Sequence, residues 1–276
     1  MLWVPQKGEL MFESNMGTVG DDTPGTQVTT GGASSTKGTA VECITSTAFE
    51  TYMIEVSDQA YSLPATNSQL MVDILVGAAT EEVLIANLIF GQSPLVGSGG
   101  FRSYLFPLYI PAGTRIAAQA AGQRVSTVSS VGIKLWGGNG VPPFRVGRKV
   151  TTYGVSTVPA GTTVVPGATG AAGTHTQITA STSEDHFAVI PGWQGGDDTT
   201  KLDRTYTSAI GLGAATEEEL STIWWSTQTT DEVHQGPSPN LPHFTDIPSG
   251  TRMTMRISNS GANDSGNYNG CIYAVS

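Results

Sequence analysis

The sequence predicts an all-β chain of two tandem β-sandwich domains produced by an internal duplication. Three observations predict it: motifs that recur at nearly half the chain length, short apolar runs set between Gly/Pro turn signals, and a composition rich in Gly, Ser and Thr but poor in charge. Gly77-Ala78-Ala79-Thr80-Glu81-Glu82 returns as Gly213-Ala214-Ala215-Thr216-Glu217-Glu218, 136 residues on (213 − 77). Ile110-Pro111-Ala112-Gly113-Thr114-Arg115 returns as Ile247-Pro248-Ser249-Gly250-Thr251-Arg252, 137 residues on (247 − 110). Pro24 to Thr39 matches Pro159 to Thr174, and Ile133-Lys134-Leu135-Trp136 closes the first copy as Ile272-Tyr273-Ala274-Val275 closes the second. Markers that keep their order and drift by a residue or two are what small loop insertions produce. A period this long is a whole domain, large enough to hold its own core.

The elements follow in order. Residues 1–20 form an N-terminal arm without a counterpart in the second copy. Its Leu2, Trp3, Val4, Leu10, Met11 and Phe12 are apolar, so it either packs along its own domain or docks on a neighbour. The first sandwich takes residues 21–137. Candidate strands are Ala40–Ile44, Thr51–Val56, Gln69–Val76, Glu82–Ile89, Tyr104–Ile110, Arg115–Ala121 and Val128–Leu135, punctuated by Pro64, Gly91, Pro94, Gly97–Gly100 and Pro111–Gly113. Thr51-Tyr52-Met53-Ile54-Glu55-Val56 alternates as a half-buried strand does. Residues 138–157 form a linker, opening Gly137-Gly138-Asn139-Gly140-Val141-Pro142-Pro143 and carrying Arg145, Arg148 and Lys149; it is either solvated or in salt-dependent contact with an acidic neighbour. The second sandwich takes residues 158–276, with strands at Ser208–Leu212, Leu220–Trp225, Arg252–Ile257 and Gly270–Val275. Many short strands with turns between them suit a jelly-roll-like sandwich.

The repeated motifs read as corners between strands. Gly77 and Gly213 end a strand and allow positive φ, and the small and polar residues after them turn the chain. Glu81 and Glu82 are adjacent, so on a strand they point to opposite faces and cannot converge on one ligand. In the second motif Pro111-x-Gly113 and Pro248-x-Gly250 make tight turns, with Ile in the core and Arg115 and Arg252 placed to meet a carboxylate.

Charged residues are 13% of the chain and the formal charge is −10. No basic patch is present, so direct nucleic-acid binding is not expected. No run approaches the ~20 apolar residues of a membrane span, and the start, MLWVPQKGELMF, does not read as a signal peptide. Cys43 and Cys271 sit in apolar runs at non-equivalent positions of the two copies, which predicts buried free thiols and folding in a reducing compartment.

Catalytic signatures are missing. His175, His186, His234 and His243 lack zinc-ligand spacing, no metal or cofactor is expected, and no nucleophile elbow or phosphate loop occurs. Asp197-Asp198 and Asp231-Glu232 are the carboxylates a glycosidase could use. Gly261 to Gly270 lacks the ligand alternation of a calcium loop and reads as a hairpin turn. Trp193, Trp224, Trp225, Phe244 and Tyr268 make the second copy aromatic. Of the adjacent Trp224 and Trp225, one faces outward on a strand. There it packs at the sandwich rim, stacks on a sugar or anchors a partner.

Pro24 to Glu42, Ser46 to Tyr52, Asp73 to Ala79 and Ile110 to Ala118 together resemble a group of tailed-bacteriophage and prophage virion proteins. The likeness covers most of the first copy and, more loosely, the second, which departs from it at Trp224-Trp225 and Asn240 to Phe244. It implies a structural part of the particle and assigns no functional residue. The expectation is a non-enzymatic virion protein, assembled in the host cytoplasm, that decorates the head through contacts with the major capsid protein. It would form a homo-oligomer, a trimer favoured, with Leu2, Trp3, Val4, Met11 and Phe12 as docking residues. The rivals are a tail fibre or receptor-binding protein that grips host glycan through Trp224 or Trp225, and a polysaccharide-degrading enzyme.

Overall fold

A computed structural model describes residues 11–16, 25–60, 68–78, 81–92, 102–138, 142, 144–155, 160–168, 170–195, 204–213, 218–227, 240–259 and 268–276; for residues 59, 60, 68, 91, 92, 102, 195, 204, 205, 221–227 and 259 it describes the backbone alone. The first copy holds β1 (Met11–Ser14), β2 (Thr26–Thr29), β3 (Val41–Ile44), β4 (Thr51–Ala60), β5 (Ser68–Val76), β6 (Glu82–Gln92), β7 (Arg102–Phe106), β8 (Ile116–Gly122) and β9 (Val128–Gly137). The second holds β10 (Val150–Tyr153), β11 (Thr162–Val164), β12 (Thr176–Thr179), β13 (His186–Gly195), β14 (Arg204–Leu212), β15 (Glu218–Thr227), β16 (His243–Ile247), β17 (Met253–Asn259) and β18 (Tyr268–Val275). Among the described residues there is no helix.

Each copy folds into two antiparallel sheets. In the first, the sheets run β1-β9-β4-β7, with β2 also on β9, and β3-β8-β5-β6. In the second they run β10-β18-β13-β16, with β11 also on β18, and β12-β17-β14-β15. The orders correspond strand for strand, which is what a duplication leaves. Strands distant in sequence lie side by side within each sheet, as in a jelly roll, so the fold is all-β with two jelly-roll sandwiches in tandem.

Two boundaries read from composition move. Met11–Ser14 is not part of an unmatched arm: β1 pairs with β9, Phe12 opposite Trp136, just as β10 pairs with β18, Val150 opposite Val275. Residues 138–157 are not all linker, because Val150–Tyr153 is a strand of the second sandwich. Nor is the basic run simply solvated. Lys149 Nζ meets Glu184 at 2.6 Å, Arg145 meets Asp246 at 3.3 Å, and Arg148 lies over the Tyr109 ring at 5.3 Å. Gly147 N donates to Pro107 O and Tyr109 N donates to Gly147 O, at 2.9 and 2.8 Å, so the connection is laced to the first sandwich.

Alternation explains the packing. Ile54 and Val56 on β4 and Val131, Ile133 and Leu135 on β9 fill the first core, while Met53, Glu55, Lys134 and Trp136 point away from it. In the second sandwich both faces of one sheet are covered. Val189, Trp193, Ile272 and Ala274 line its own core, whereas Ala188, Ile190, Cys271, Tyr273 and Val275 belong to the core that continues into the first sandwich. All eight residues of β18 are buried as a result. The two sandwiches share this apolar seam, and its burial favours holding them together.

The seam also satisfies backbone groups on the edge of β6. Ile89 N donates to Tyr273 Oη at 2.8 Å, and Tyr273 Oη donates to Asn87 O at 3.1 Å. Gln194 Nε2 donates to Phe90 O at 2.6 Å and to Leu70 O at 3.2 Å, and Thr152 Oγ1 donates to Ala86 O at 2.6 Å. Beside them Asn240 N donates to Ser103 O at 2.7 Å and Leu105 N donates to Asn240 O at 3.1 Å, which sets one residue of the second copy alongside β7 as a parallel bridge. An edge that would otherwise expose unpaired N–H and C=O groups is closed by side chains.

Candidate docking surfaces

The repeated corners are built alike in both copies. Gly77 (φ 99) and Gly213 (φ 103) end β5 and β14 in the left-handed region. The amide of each receives the carbonyl of the matching arginine: Gly77 N donates to Arg115 O at 3.2 Å and Gly213 N to Arg252 O at 3.1 Å. Each guanidinium returns the contact, Arg115 Nη1 to Gly77 O at 3.2 Å and Arg252 Nη1 to Gly213 O at 3.0 Å. The Pro-x-Gly turns are locked by a second threonine: Thr47 Oγ1 donates to Pro111 O and Thr182 Oγ1 to Pro248 O, both at 2.8 Å. Gly113 (φ 81) and Gly250 (φ 86) supply the turn conformation. Arg115 also pairs with Glu81 at 2.6 Å and Glu42 at 2.8 Å, which raises its pKa, while Arg252 Nε donates to Gln177 at 3.2 Å. Glu82 opens β6 and, with Pro111, Thr114, Arg148 and Lys149, lines a cleft of about 260 Å³ at the seam. These residues position strands, and Arg115 bridges the carboxylates of Glu42 and Glu81. Gly77→Ala should cost about 1–2 kcal/mol, the penalty of placing a Cβ in the left-handed region, read as a lowered denaturant midpoint. An unchanged midpoint would contradict this account of the corner.

The N-terminal edge is a different kind of surface. β1 is the outer strand of its sheet. Phe12 is 57% exposed and Met11 39% exposed, and the Phe12 ring lies 5.6 Å from Trp136, which is half-buried beside the half-buried Met53. The centre of the same face is polar, with Lys134 Nζ 3.2 Å from Glu55. An apolar corner rimmed by polar groups is the form an interaction site takes. Leu2, Trp3 and Val4 lie outside the described residues.

A second exposed aromatic group sits on β16. Phe244 is 52% exposed and stacks on Phe187 at 6.3 Å, with Phe144 at 6.3 Å on another side and the Arg145 guanidinium 4.5 Å over Phe187. Composition names Phe244 as aromatic but gives no sign that Phe144 and Arg145, a hundred residues earlier, complete the cluster. Trp193 is buried in the second core. Trp224 and Trp225 lie on β15, the outer strand of its sheet, and their side chains are outside the described set, as are Asp197, Asp198, Asp231, Glu232, His234 and most of the loop from Gly261. His186 is buried, which lowers its pKa, and bonds to Tyr153 Oη at 2.9 Å. His175 bonds to Thr254 Oγ1 at 2.9 Å. Among the described residues no group of His, Cys, Asp and Glu could hold a metal ion, and no helix is long and apolar enough to cross a membrane. Neither cysteine is in a disulfide; Cys271 is buried and Cys43 half-buried, and burial pushes the Cys43 thiol up to about 11.

No family model matches the chain, and no curated protein matches it in sequence. Among solved structures it is similar to PNGF-II, at 11% identity over 98% of this chain and 66% of that one, with a TM-score of 0.37. It is similar to PNGase F, a glycosylasparaginase from Flavobacterium meningosepticum, at 9% identity over 97% and 96% of the two chains, with a TM-score of 0.33. The VP2 subviral particle of infectious bursal disease virus follows at 12% identity over 84% and 58%, with a TM-score of 0.22. The chain thus spans just under two thirds of the length of PNGF-II. Likeness at these values assigns no activity.

Proposed function

We propose that the chain is a non-enzymatic structural component of a bacteriophage virion, a decoration or cement protein that stabilises the head. The observation that carries this reading is the exposed apolar corner of the first sandwich, where Phe12 and Met11 stand out on the outer strand of the sheet next to Trp136. With charged residues at 13%, much of the surface is hydroxyl-bearing and small, and such faces cost little to desolvate in an interface. The mechanism is linkage: a protein that binds only the assembled lattice of the major capsid protein stabilises that lattice by mass action. Neither nucleic acid nor membrane enters it. A second reading, a tail fibre or receptor-binding protein, is favoured by the exposed Phe244 with Arg145 and Asp246 beside it, an apolar platform rimmed by charge on which a sugar ring could stack.

The experiment mixes the purified chain with capsids and with tails separated from the same phage, and with host cells, and pellets each. Co-sedimentation with capsids alone is expected. Pelleting with tails or cells instead would overturn the decoration reading in favour of the fibre.

A further inference from the structure

The two sandwiches correspond strand for strand, and where they meet it is β6 of the first that receives the second. A single inserted residue distinguishes β6 from its counterpart β15. On β5 and β6, Val72 opposes Leu88 and Ile74 opposes Ile85, so Asp73 faces two residues, Ala86 and Asn87. On β14 and β15, Ser208 opposes Ile223, Ala209 opposes Thr222 and Ile210 opposes Ser221, one for one. A second register shift, between Ile74 and Leu75, returns between Ile210 and Gly211, so the ladders otherwise match. Two residues opposite one make a β-bulge, and Asn87 there takes a left-handed backbone (φ 57).

The bulge decides what the edge of β6 offers. On a regular strand successive carbonyls point to opposite edges. Here two successive carbonyls are both taken by the second copy: Thr152 Oγ1 donates to Ala86 O at 2.6 Å, and Tyr273 Oη donates to Asn87 O at 3.1 Å. The same hydroxyl accepts from Ile89 N at 2.8 Å. The bulge is itself held by a buried carboxylate. Asp73 Oδ1 accepts from Asn87 N at 2.8 Å, and Asp73 Oδ2 accepts from Gln119 Nε2 at 2.8 Å and pairs with Lys37 Nζ. Lys37 Nζ also donates to Asn87 Oδ1 at 3.0 Å, so one side chain from the segment before β3 reaches across to β6. The second copy has alanine at both positions of this ion pair. Asp73 opposes Gln119 where Ala209 opposes Arg256, and Lys37 bridges to Ala121 where Ala172 bridges to Ser258.

We propose that the inserted Asn87, held in its left-handed turn by Asp73 and Lys37, is the specificity determinant of docking between the sandwiches: it makes the edge of β6 the seat for the second-copy face that carries Thr152 and Tyr273. Asparagine visits the left-handed region more readily than most residues with a side chain, and the Asp73 and Lys37 contacts offset what strain remains. The ion pair and the seat act as one unit. Without Lys37 the buried Asp73 carboxylate loses its cation, and a carboxylate left so must move or take up a proton. Either change loosens its hold on Asn87 N, and with it the orientation of the two carbonyls that Thr152 and Tyr273 bind. The device sets how the two sandwiches sit on one another, whatever the chain itself binds.

The test is hydrogen exchange on the full chain, read at the Ile89 amide with the amides of β4 as an internal reference. Asn87→Gly and Asn87→Val both lose the side-chain bond to Lys37 and differ in backbone preference. Glycine enters the left-handed region freely, so Ile89 should stay as protected as in the parent. Valine resists it, so Ile89 should exchange about tenfold faster or more while β4 is unchanged. Lys37→Met should release Ile89 in the same selective way. Combined with Tyr273→Phe, which removes the seam hydroxyl from the other side, Asn87→Val should add little. Equal protection of Ile89 in the glycine and valine variants, or an additive effect of Asn87→Val with Tyr273→Phe, overturns the proposal, because the turn would then not form the seat. Equal acceleration of Ile89 and β4 in Lys37→Met overturns the part given to the ion pair, which would then support the first sandwich as a whole.

Discussion

Replacing Tyr273 by alanine is expected to uncouple the two sandwiches. Its ring meets Tyr104 and Phe106 at 5.3 and 5.8 Å, and its hydroxyl closes the β6 edge through Ile89 and Asn87. Removing a buried aromatic side chain typically costs about 3–5 kcal/mol. Here the loss falls on the seam, so denaturant unfolding should split from one transition into two, the less stable sandwich melting first. Tyr273→Phe isolates the hydroxyl. It keeps the packing but leaves the buried N–H of Ile89 without its partner, at about 1–3 kcal/mol, and the part-buried carbonyl of Asn87 short of one. A phenylalanine variant within a few tenths of a kcal/mol of the parent would mean that the hydroxyl does not close the edge.

The second large effect depends on pH. Asp58 is buried on β4 and accepts a bond from Ser129 Oγ. Burial disfavours its charged form and lifts its pKa from 3.8 to about 7, and the serine bond offsets only part of that. The folded state therefore holds this proton more tightly than the unfolded chain. Its stabilising contribution is complete below pH 3.8, falls as the pH rises, and is lost once the pH has passed about 7. At about 1.4 kcal/mol per pH unit, the loss is on the order of 4 kcal/mol. Asp58→Asn removes the titration. The stability difference between variant and parent should grow from pH 4 to pH 7 in favour of asparagine and level off above. A difference independent of pH would mean that Asp58 does not titrate in this window.

The sequence carried much of the fold, because duplication leaves identical corners. Gly77, Gly213 and the paired Pro-x-Gly turns need particular backbone conformations, so they persist as readable letters. Other strands lack such letters. β1 is MFES and β10 is VTTY; they share no residue, and what makes them equivalent is their pairing with β9 and β18, more than a hundred residues downstream. β13 contains Pro191 and Gly192, residue types that usually interrupt a strand. Its pairing with β16 ends at Val189, so a residue without an N–H is tolerated where one flank of the strand is open. The seam had left a trace. The second copy closes on the unbroken apolar run Cys271 to Val275, and the first on the alternating Ile133-Lys134-Leu135-Trp136; the former is a strand buried on both faces, the latter a strand with one face outward. The aromatic group at Phe244 left none, since Phe144 and Arg145 reach it only through the fold.

The most direct measurement of the assembly account is a capsid-binding isotherm of the parent chain against Phe12→Asp, by pelleting. Phe12 is exposed and fills no core, so the variant should fold as the parent does. Saturable binding to capsids by the parent and a loss of about tenfold or more in the variant are expected. Equal binding by the two, or binding by neither, would contradict it.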